Sequence, residues 1–200
     1  MAKIKLTKNE LKKQKDDLKR FKRYLPTLQL KKQQLQVEIR QVEQKQEEKR
    51  AVQEQIKQSL DTWIAVFGEP VDLSALVQID SVQTESGNIA GVDIPIFTGL
   101  TYKKISYDLF ETPLWVDEGL EQFKSILAID VEVEILNEQV KRLSDELRTT
   151  SQRVNLFEKV KIPEAQENIR TINIYLGDQQ TAAVVRGKIA KNKVVKEVAE

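Results

Sequence analysis

The fold of this chain is decided by residues 7–67, TKNELKKQKDDLKRFKRYLPTLQLKKQQLQVEIRQVEQKQEEKRAVQEQIKQSLDTWIAVF, in which apolar side chains recur at two positions of every seven. One series runs from Leu11 to Phe67 and the other from Gln14 to Trp63, and twelve of their seventeen positions are apolar. The residues between them are mostly Lys, Gln and Glu. A narrow apolar stripe on a charged helix is typical of a coiled coil, so this stretch predicts one long helix that pairs with another.

The ends of this helix are also marked in the sequence. Thr7 and Glu10 have the spacing of a capping box, in which Thr7 caps the first turn and Glu10 reaches back to it. Gly68 and Pro70 directly follow the last apolar position and predict the end of the helix.

A second heptad segment occupies the C-terminal part of the chain. Its two series run from Ile126 to Val154 and from Ile129 to Phe157, and nine of their ten positions are apolar. After Pro163 the phase shifts, and an apolar stripe continues through Ile162, Ala165, Ile169, Ile172 and Leu176. We expect a helix from near Val116 to the 190s, with a break near Gly177 or Gly187 as an open alternative.

The sequence between the two helices is strand-like. Residues 76–84 can present one apolar face only if a bulge intervenes, and residues 85–88, ESGN, predict a turn. Residues 89–97 alternate as a half-buried strand does, with Pro95 restricting it to a sheet edge or a strand end. Residues 98–115 fit a loop, a third short strand or a short helix.

These patterns predict a mainly α fold, a long antiparallel two-helix coiled coil with a short β-hairpin insert at the bend. The expected divisions are an N-terminal coiled-coil helix over 1–67, the hairpin and connecting insert over 68–115, and a C-terminal coiled-coil helix with a basic tail over 116–200. Pairing the helices from the bend places Pro26 within about a turn of Pro163, and each proline removes a helix hydrogen bond. We therefore expect a bend or local unwinding at that level, or else two separately tolerated prolines.

The seam of the first helix is polar at Gln46, Lys49 and Gln53. The same pairing sets these positions opposite apolar residues of the second helix, namely Val140, Leu136 and Val133. Either the register slips there, or the second helix turns its apolar stripe toward an element of a partner protein, which we favour.

Composition and charge limit the class of protein. The chain has no cysteine, which favours a reducing intracellular setting, and its basic N-terminus lacks the apolar core of a secretory signal. No run approaches the roughly 18 apolar residues of a membrane span. Residues 1–40 carry 13 Lys and Arg against 4 Asp and Glu, whereas residues 68–135 carry 3 against 13. Together with the basic tail, this separation predicts a basic tip and an acidic base that face different partners.

Catalytic constellations are missing from the sequence. Without His or Cys the chain cannot form Ser-His-Asp or Cys-His arrangements or the usual zinc sites. It has no GxxxxGK[ST] loop, and acidic pairs such as Glu132 with Glu134 lie in helical surface sequence. We expect no catalytic residue, no cofactor and no metal.

Several segments together resemble the D subunit of V/A-type ATPases. They are RVNLFE at 153–158, IP at 162–163, IRTI at 169–172, KIAK at 188–191 and NIAGVDIPIF at 88–97. LQLKK at 28–32 matches more loosely, and KKQQL at 31–35 and DQQ at 178–180 depart from the family pattern. The resemblance implies a non-catalytic central rotor shaft on the cytoplasmic face of the membrane. Its implied partners are the catalytic A and B subunits, the F subunit, and the C/d subunit above the membrane rotor.

The resemblance also suggests which residues meet those partners. Five cations at the basic tip are expected to face the A/B ring, while mid-shaft and hairpin residues are expected to contact the F subunit or other partners. These residues are Lys8, Lys12, Arg186, Lys188 and Lys191 at the tip, Val133, Leu136 and Val140 on the second helix, and Val92, Ile94 and Phe97 in the hairpin. The alternatives are a prefoldin-like chaperone or other coiled-coil scaffold, and a helical arm that binds nucleic acid.

Overall fold

The computed structural model describes residues 4–67, 76–103, 105, 113 and 115–199, with the backbone alone for 60, 62–67 and 195–199. Within these residues the chain forms helix α1 (Lys8–Phe67), strands β1 (Ile79–Ile89) and β2 (Val92–Tyr102), helix α2 (Val116–Leu156), a π-helical turn (Phe157–Lys161) and helix α3 (Ile162–Ala199). Long helices, with a two-stranded antiparallel hairpin between them in the chain, confirm the predicted fold class. Of residues 98–115, for which a loop, a third strand or a short helix was open, 98–102 belong to β2, whereas 104, 106–112 and 114 lie outside the described residues.

The boundaries of the helices follow local chemistry. The Thr7 hydroxyl accepts a hydrogen bond from the Glu10 amide at 3.3 Å, which confirms the predicted cap. The Glu10 carboxylate accepts a bond from Gln14 at 2.9 Å, so it supports the first turn of α1 through an i,i+4 contact rather than by reaching back to Thr7. Helix α2 begins at the predicted Val116, with Asp117 in its positively polarised first turn.

The interruption of the second helix does not lie where the glycines suggested. Helix α3 is continuous through Gly177 and Gly187, and the helix changes geometry instead at Phe157–Lys161. There the Ile162 amide donates to the Phe157 carbonyl, which is the i→i+5 bond of a π-helix. A local change of helix geometry therefore lies directly before Pro163, on one of the two helices for which it was expected. Helix α1, by contrast, continues through Pro26.

The hairpin turn lies at Ala90–Gly91, so the turn predicted at residues 85–88 was wrong. Ile89 pairs with Val92, and the two turn residues have φ of 53° and 79°, as a two-residue type I′ turn requires. The Asn88 side chain stabilises this turn by accepting a bond from the Gly91 amide at 3.0 Å. The predicted bulge is confirmed by two register shifts in the strand pairing, although β1 remains almost entirely exposed.

Replacing Gly91 with alanine should destabilise the hairpin. A Cβ at Gly91 meets no atom within 4 Å, but its φ of +79° is costly for an L-residue, by about 1–2 kcal/mol. Urea unfolding of Gly91→Ala measures the change. Gly99→Ala is the matched control, because its Cβ would only reach ordinary contact with Gln83 at 3.7 Å, and equal losses in both variants would contradict the turn geometry.

The described chain divides into two compact units. Unit 1 comprises Met1–Leu30 and Thr150–Glu200, and unit 2 comprises Lys31–Thr149. In unit 1 the buried side chains are Thr150, Val154, Ala165 and Ile172. Phe21 stacks on Phe157 at 5.3 Å between ring centroids, and Asn168 donates to Gln14 at 3.4 Å.

These contacts set the register of the antiparallel helices in unit 1. Phe21 lies opposite Phe157 and Gln14 opposite Asn168, so Pro163 lies between these two levels. Pro26 lies beyond Phe21 on the other side. The two prolines therefore do not share one level, and the prediction that placed them within a turn of each other was wrong.

Unit 2 has two apolar clusters. The first joins the hairpin to both helices and contains Leu35, Ile39, Val42, Ile94, Leu136 and Leu143, with Ile89, Ala90, Val92, Val140 and Leu147 packed against it. The second lies where β2 ends and α2 begins, and contains Val77, Trp115, Val116 and Leu120. A lone hairpin is marginally stable in water, so its packing through Ile94 holds it in place.

Candidate partner interfaces

A long stretch near the C-terminal end of α3 is exposed. Each residue from 177 to 194, here called the exposed α3 end, is exposed to solvent. Its apolar residues include Val184 at 61% and Ile189 at 51% exposure, and its cations include the predicted Arg186, Lys188 and Lys191. Contiguous exposed apolar side chains among cations are typical of a surface that a partner protein covers.

The register of unit 1 explains this exposure. Gln14 contacts Asn168, and α1 begins only six residues before Gln14, at Lys8. In an antiparallel pair that start lies near Ile174, so the exposed α3 end extends beyond the part of α1 that could cover it. The predicted Lys8 and Lys12 are exposed on the first turns of α1, in the same unit as this end.

In unit 2 the hairpin covers residues that were expected to meet a partner. Leu136 and Ile94 are 9% and 3% exposed within the chain's own cluster, and Val92 and Val140 pack against it. A third element therefore does pack on the apolar stripe of α2, and it is the chain's own hairpin, while contact of a partner with these side chains stays a prediction.

Two hydrogen bonds fasten β2 to α2. The side-chain amide of Gln139 donates to the Pro95 carbonyl at 2.5 Å, and the Arg142 guanidinium donates to the Asp93 carbonyl at 3.3 Å. Arg142 also pairs with Glu138 at 2.8 Å, and this hydrogen bond lowers the pKa of Glu138. The outer edge of β2 is therefore occupied by helix side chains, which limits pairing with another strand at that edge.

The polar stretch of α1 is matched by polar residues on α2. Lys49 pairs with Glu132 at 2.8 Å, while Gln46 bonds Asn137 and Gln53 bonds Asp130. The prediction that these residues face Val140, Leu136 and Val133 was therefore wrong, because the observed partners lie a few positions earlier on α2. Sequence analysis missed these partners because they lie beside the heptad positions of α2 rather than on them.

A shallow groove of about 250 Å³ opens between the hairpin and the helices of unit 2. Its floor is apolar and includes Ile94, Leu136 and the half-buried Phe97, and its rim carries Glu38 and Lys45. Ile96, which sequence analysis did not single out, also lines the groove and is 42% exposed. An apolar floor with a charged rim suits side chains of a protein partner.

Tyr102 closes the second cluster of unit 2. Its hydroxyl donates to the Lys124 carbonyl at 2.8 Å, and the Lys124 ammonium lies 5.9 Å from its ring centroid. Burial raises the pKa of Tyr102 from its ordinary value of 10.0. The neutral Tyr102 hydroxyl therefore stabilises the folded state fully below pH 10. This stabilisation is lost as the pH rises through the pKa that Tyr102 has in the folded state, which is higher.

Tyr102→Phe should lower stability by about 1 kcal/mol at neutral pH, because the Lys124 carbonyl loses its donor. Above pH 10 the difference between the variant and the wild type should shrink, since only the wild type has this hydroxyl to ionise. Urea unfolding at pH 7 and near pH 11 measures both effects. Tyr175→Phe, at a 40% exposed position, is the control, and a gap that widens with pH would contradict the assignment.

Among the side chains that the structure describes, no group of three or more acidic residues is placed to hold a metal ion. Within the helices that the structure describes, no segment is both long and apolar enough to cross a bilayer. The surfaces of the described residues that could meet a partner protein are the exposed α3 end, the basic first turns of α1 and the groove beside the hairpin.

The chain is similar to known proteins over nearly its whole length. The sequence profile of the family described as the ATP synthase D subunit matches residues 10–192. The V-type ATP synthase D subunit of Borreliella burgdorferi is 57% identical over 98% of this chain and 97% of that protein. The proteins of the same description from Chlamydia pneumoniae and Chlamydia abortus are 36% and 35% identical, each over 96% of this chain. The chain therefore belongs to the family of ATP synthase D subunits.

Proposed function

We propose that this chain is the non-catalytic central rotor shaft of a V-type rotary ATPase. It would couple ATP hydrolysis or synthesis in a catalytic ring to ion transport through a membrane rotor. The observation that carries this proposal is the match to D subunits of V-type ATP synthases over almost the full length of both chains. The three helices and the hairpin fall largely within the matched residues 10–192.

The packing of the chain supports a mechanical role. Its buried residues are almost all apolar, and their clusters fill the space between the helices and behind the hairpin. Cross-helix contacts such as Lys31 with Glu146 at 2.6 Å and Lys49 with Glu132 at 2.8 Å tie the helices of unit 2 together at two levels. Such a pair transmits rotation while nucleotide chemistry takes place in other subunits.

Each exposed surface suits a different partner of such a complex. The exposed α3 end and the cations Lys8 and Lys12 are assigned to the A/B ring. The groove with Phe97, together with Val133 on α2, is assigned to the F subunit. The acidic stretch 68–135 is assigned to the C/d subunit above the membrane rotor. The chain would then lie on the cytoplasmic face of the membrane and attach to it only through the complex.

The family match disfavours the alternatives of a prefoldin-like chaperone and a nucleic-acid-binding arm. The basic tip expected of a nucleic-acid binder is here accompanied by exposed Val184, Val185 and Ile189, which a protein surface covers better than a phosphate backbone does.

Copurification tests the proposal directly. An affinity-tagged copy of the full chain, expressed in its own cells, should bring down nucleotide-binding ring subunits and a small F subunit. Reconstitution of the complex without the chain should abolish ATP-driven ion transport, and adding the chain back should restore it. Recovery of the chain without any ring subunit, or full transport in its absence, would contradict the proposal.

A further inference from the structure

The apolar stripe of unit 1 contains one irregular step. From Thr150 onward the buried and half-buried positions of the stripe are Thr150, Val154, Phe157, Ile162, Ala165, Ile169, Ile172 and Leu176. Successive members are three or four positions apart, as a heptad requires, except that Ile162 lies five positions after Phe157. The repeat therefore contains a single extra residue at this step.

The π turn occupies the same step. It spans Phe157–Lys161, and the Ile162 amide reaches the Phe157 carbonyl across five residues instead of four. A π turn takes in one more residue than an α turn, so the stripe beyond it returns to the same face of the helix. Ala165 and Ile172, 3% and 0% exposed, confirm that the phase is restored.

We infer that the π turn absorbs this extra residue of the repeat. As a result, the π turn is a joint, a segment at which the helix opens more easily than it does on either side. None of its five side chains is buried, and Val160 is 48% exposed. Side-chain contacts hold only its two ends, through the stack of Phe157 on Phe21 and the ion pair of Lys161 with Glu164 at 3.3 Å. Few buried contacts and a poorer hydrogen-bond geometry are the features of a locally weak segment.

Pro163 offers a competing cause. It has no amide hydrogen, so the Lys159 carbonyl would lack a donor in an uninterrupted α-helix, and a π turn could arise for this reason alone. The two causes predict different behaviour. If the extra residue is responsible, the π turn persists when Pro163 is replaced and disappears when one residue is removed.

Three variants of the full chain separate these causes. The first is Pro163→Ala, the second adds deletion of the exposed Lys159, and the third instead adds one alanine after Lys159. Amide hydrogen exchange at residues 157–162 and thermal unfolding are measured for each. Pro163→Ala should retain the fast exchange, and the deletion should slow it about tenfold, the scale of one well-formed hydrogen bond.

The deletion and the insertion should have opposite effects on thermal unfolding. Removing one residue shortens the spacing between Phe157 and Ile162 to the four positions of a regular heptad, so the thermal unfolding midpoint should stay the same or rise. Adding one makes it six and rotates the stripe beyond it off the core face, so the midpoint should fall. Slow exchange in Pro163→Ala alone, or equal losses from deletion and insertion, would overturn the inference.

The joint has a consequence that rests on the proposed shaft function. Because the deletion leaves the exposed α3 end on its original face, a complex carrying the deletion in the Pro163→Ala background should hydrolyse ATP normally. The angular fluctuations of its stalled rotor should be narrower than those of the Pro163→Ala complex. Unchanged fluctuations in an active complex would overturn the joint, whereas failure of the wild-type chain to join the complex would overturn the shaft function.

Discussion

Leu143→Ala is expected to cost the chain about 2–5 kcal/mol of unfolding free energy, the range typical of replacing a core leucine with alanine. Leu143 is 0% exposed and lies in the cluster that joins α1, α2 and the hairpin. Because Leu35 and Ile94 belong to the same cluster, its loss should loosen the hairpin as well as the helix pair. Urea unfolding followed by circular dichroism measures the change.

The control for this loss is another leucine on a helix. Leu30 lies on α1 and is 65% exposed, so Leu30→Ala should change stability by no more than about 0.5 kcal/mol. Alanine also suits a helix at least as well as leucine. Similar losses at the two positions would mean that the cluster around Leu143 does not stabilise unit 2.

Placing aspartate at Val185 and Ile189 together should weaken binding of the chain to the catalytic ring by roughly tenfold or more, as loss of a central apolar contact typically does. Both side chains are exposed, at 50% and 51%, so the stability of the chain itself should hardly change. The new carboxylates would have to lose water in an interface without partners. Titration of the purified ring with labelled chain measures the affinity.

Val52→Asp is the matched control for charge. Val52 lies on α1 in unit 2 and is 45% exposed, far along the helix from the basic first turns. Ring affinity should be unchanged in this variant. Undiminished affinity in the Val185→Asp and Ile189→Asp double variant would remove the exposed α3 end from the interface, while equal weakening by Val52→Asp would show a non-specific effect of charge.

The exposure of the predicted partner residues could be anticipated only in part. Lys8, Arg186 and Lys188 are exposed, because long cationic side chains rarely become buried, and their contact with a partner stays a prediction. The sequence predicts partner contact for Leu136 and Ile94, yet both side chains are buried in the chain's own cluster. An apolar side chain can face a partner or its own core, and its residue type does not distinguish the two.

The long helices, the cap at Thr7, the start at Val116, the hairpin between them and the family could all be predicted from the order of the residues alone. These depend on heptad periodicity, on capping spacing and on local motifs, which are properties of neighbouring residues. The turn at Ala90–Gly91 and the π turn before Pro163 are local features whose exact positions became clear only from the strand register and from the helix face that meets α1. The docking of the hairpin over Leu136 and the pairing of Lys49 with Glu132 required the tertiary structure altogether. They depend on which distant residues meet, and a one-residue change of register, which costs nothing locally, alters every such contact.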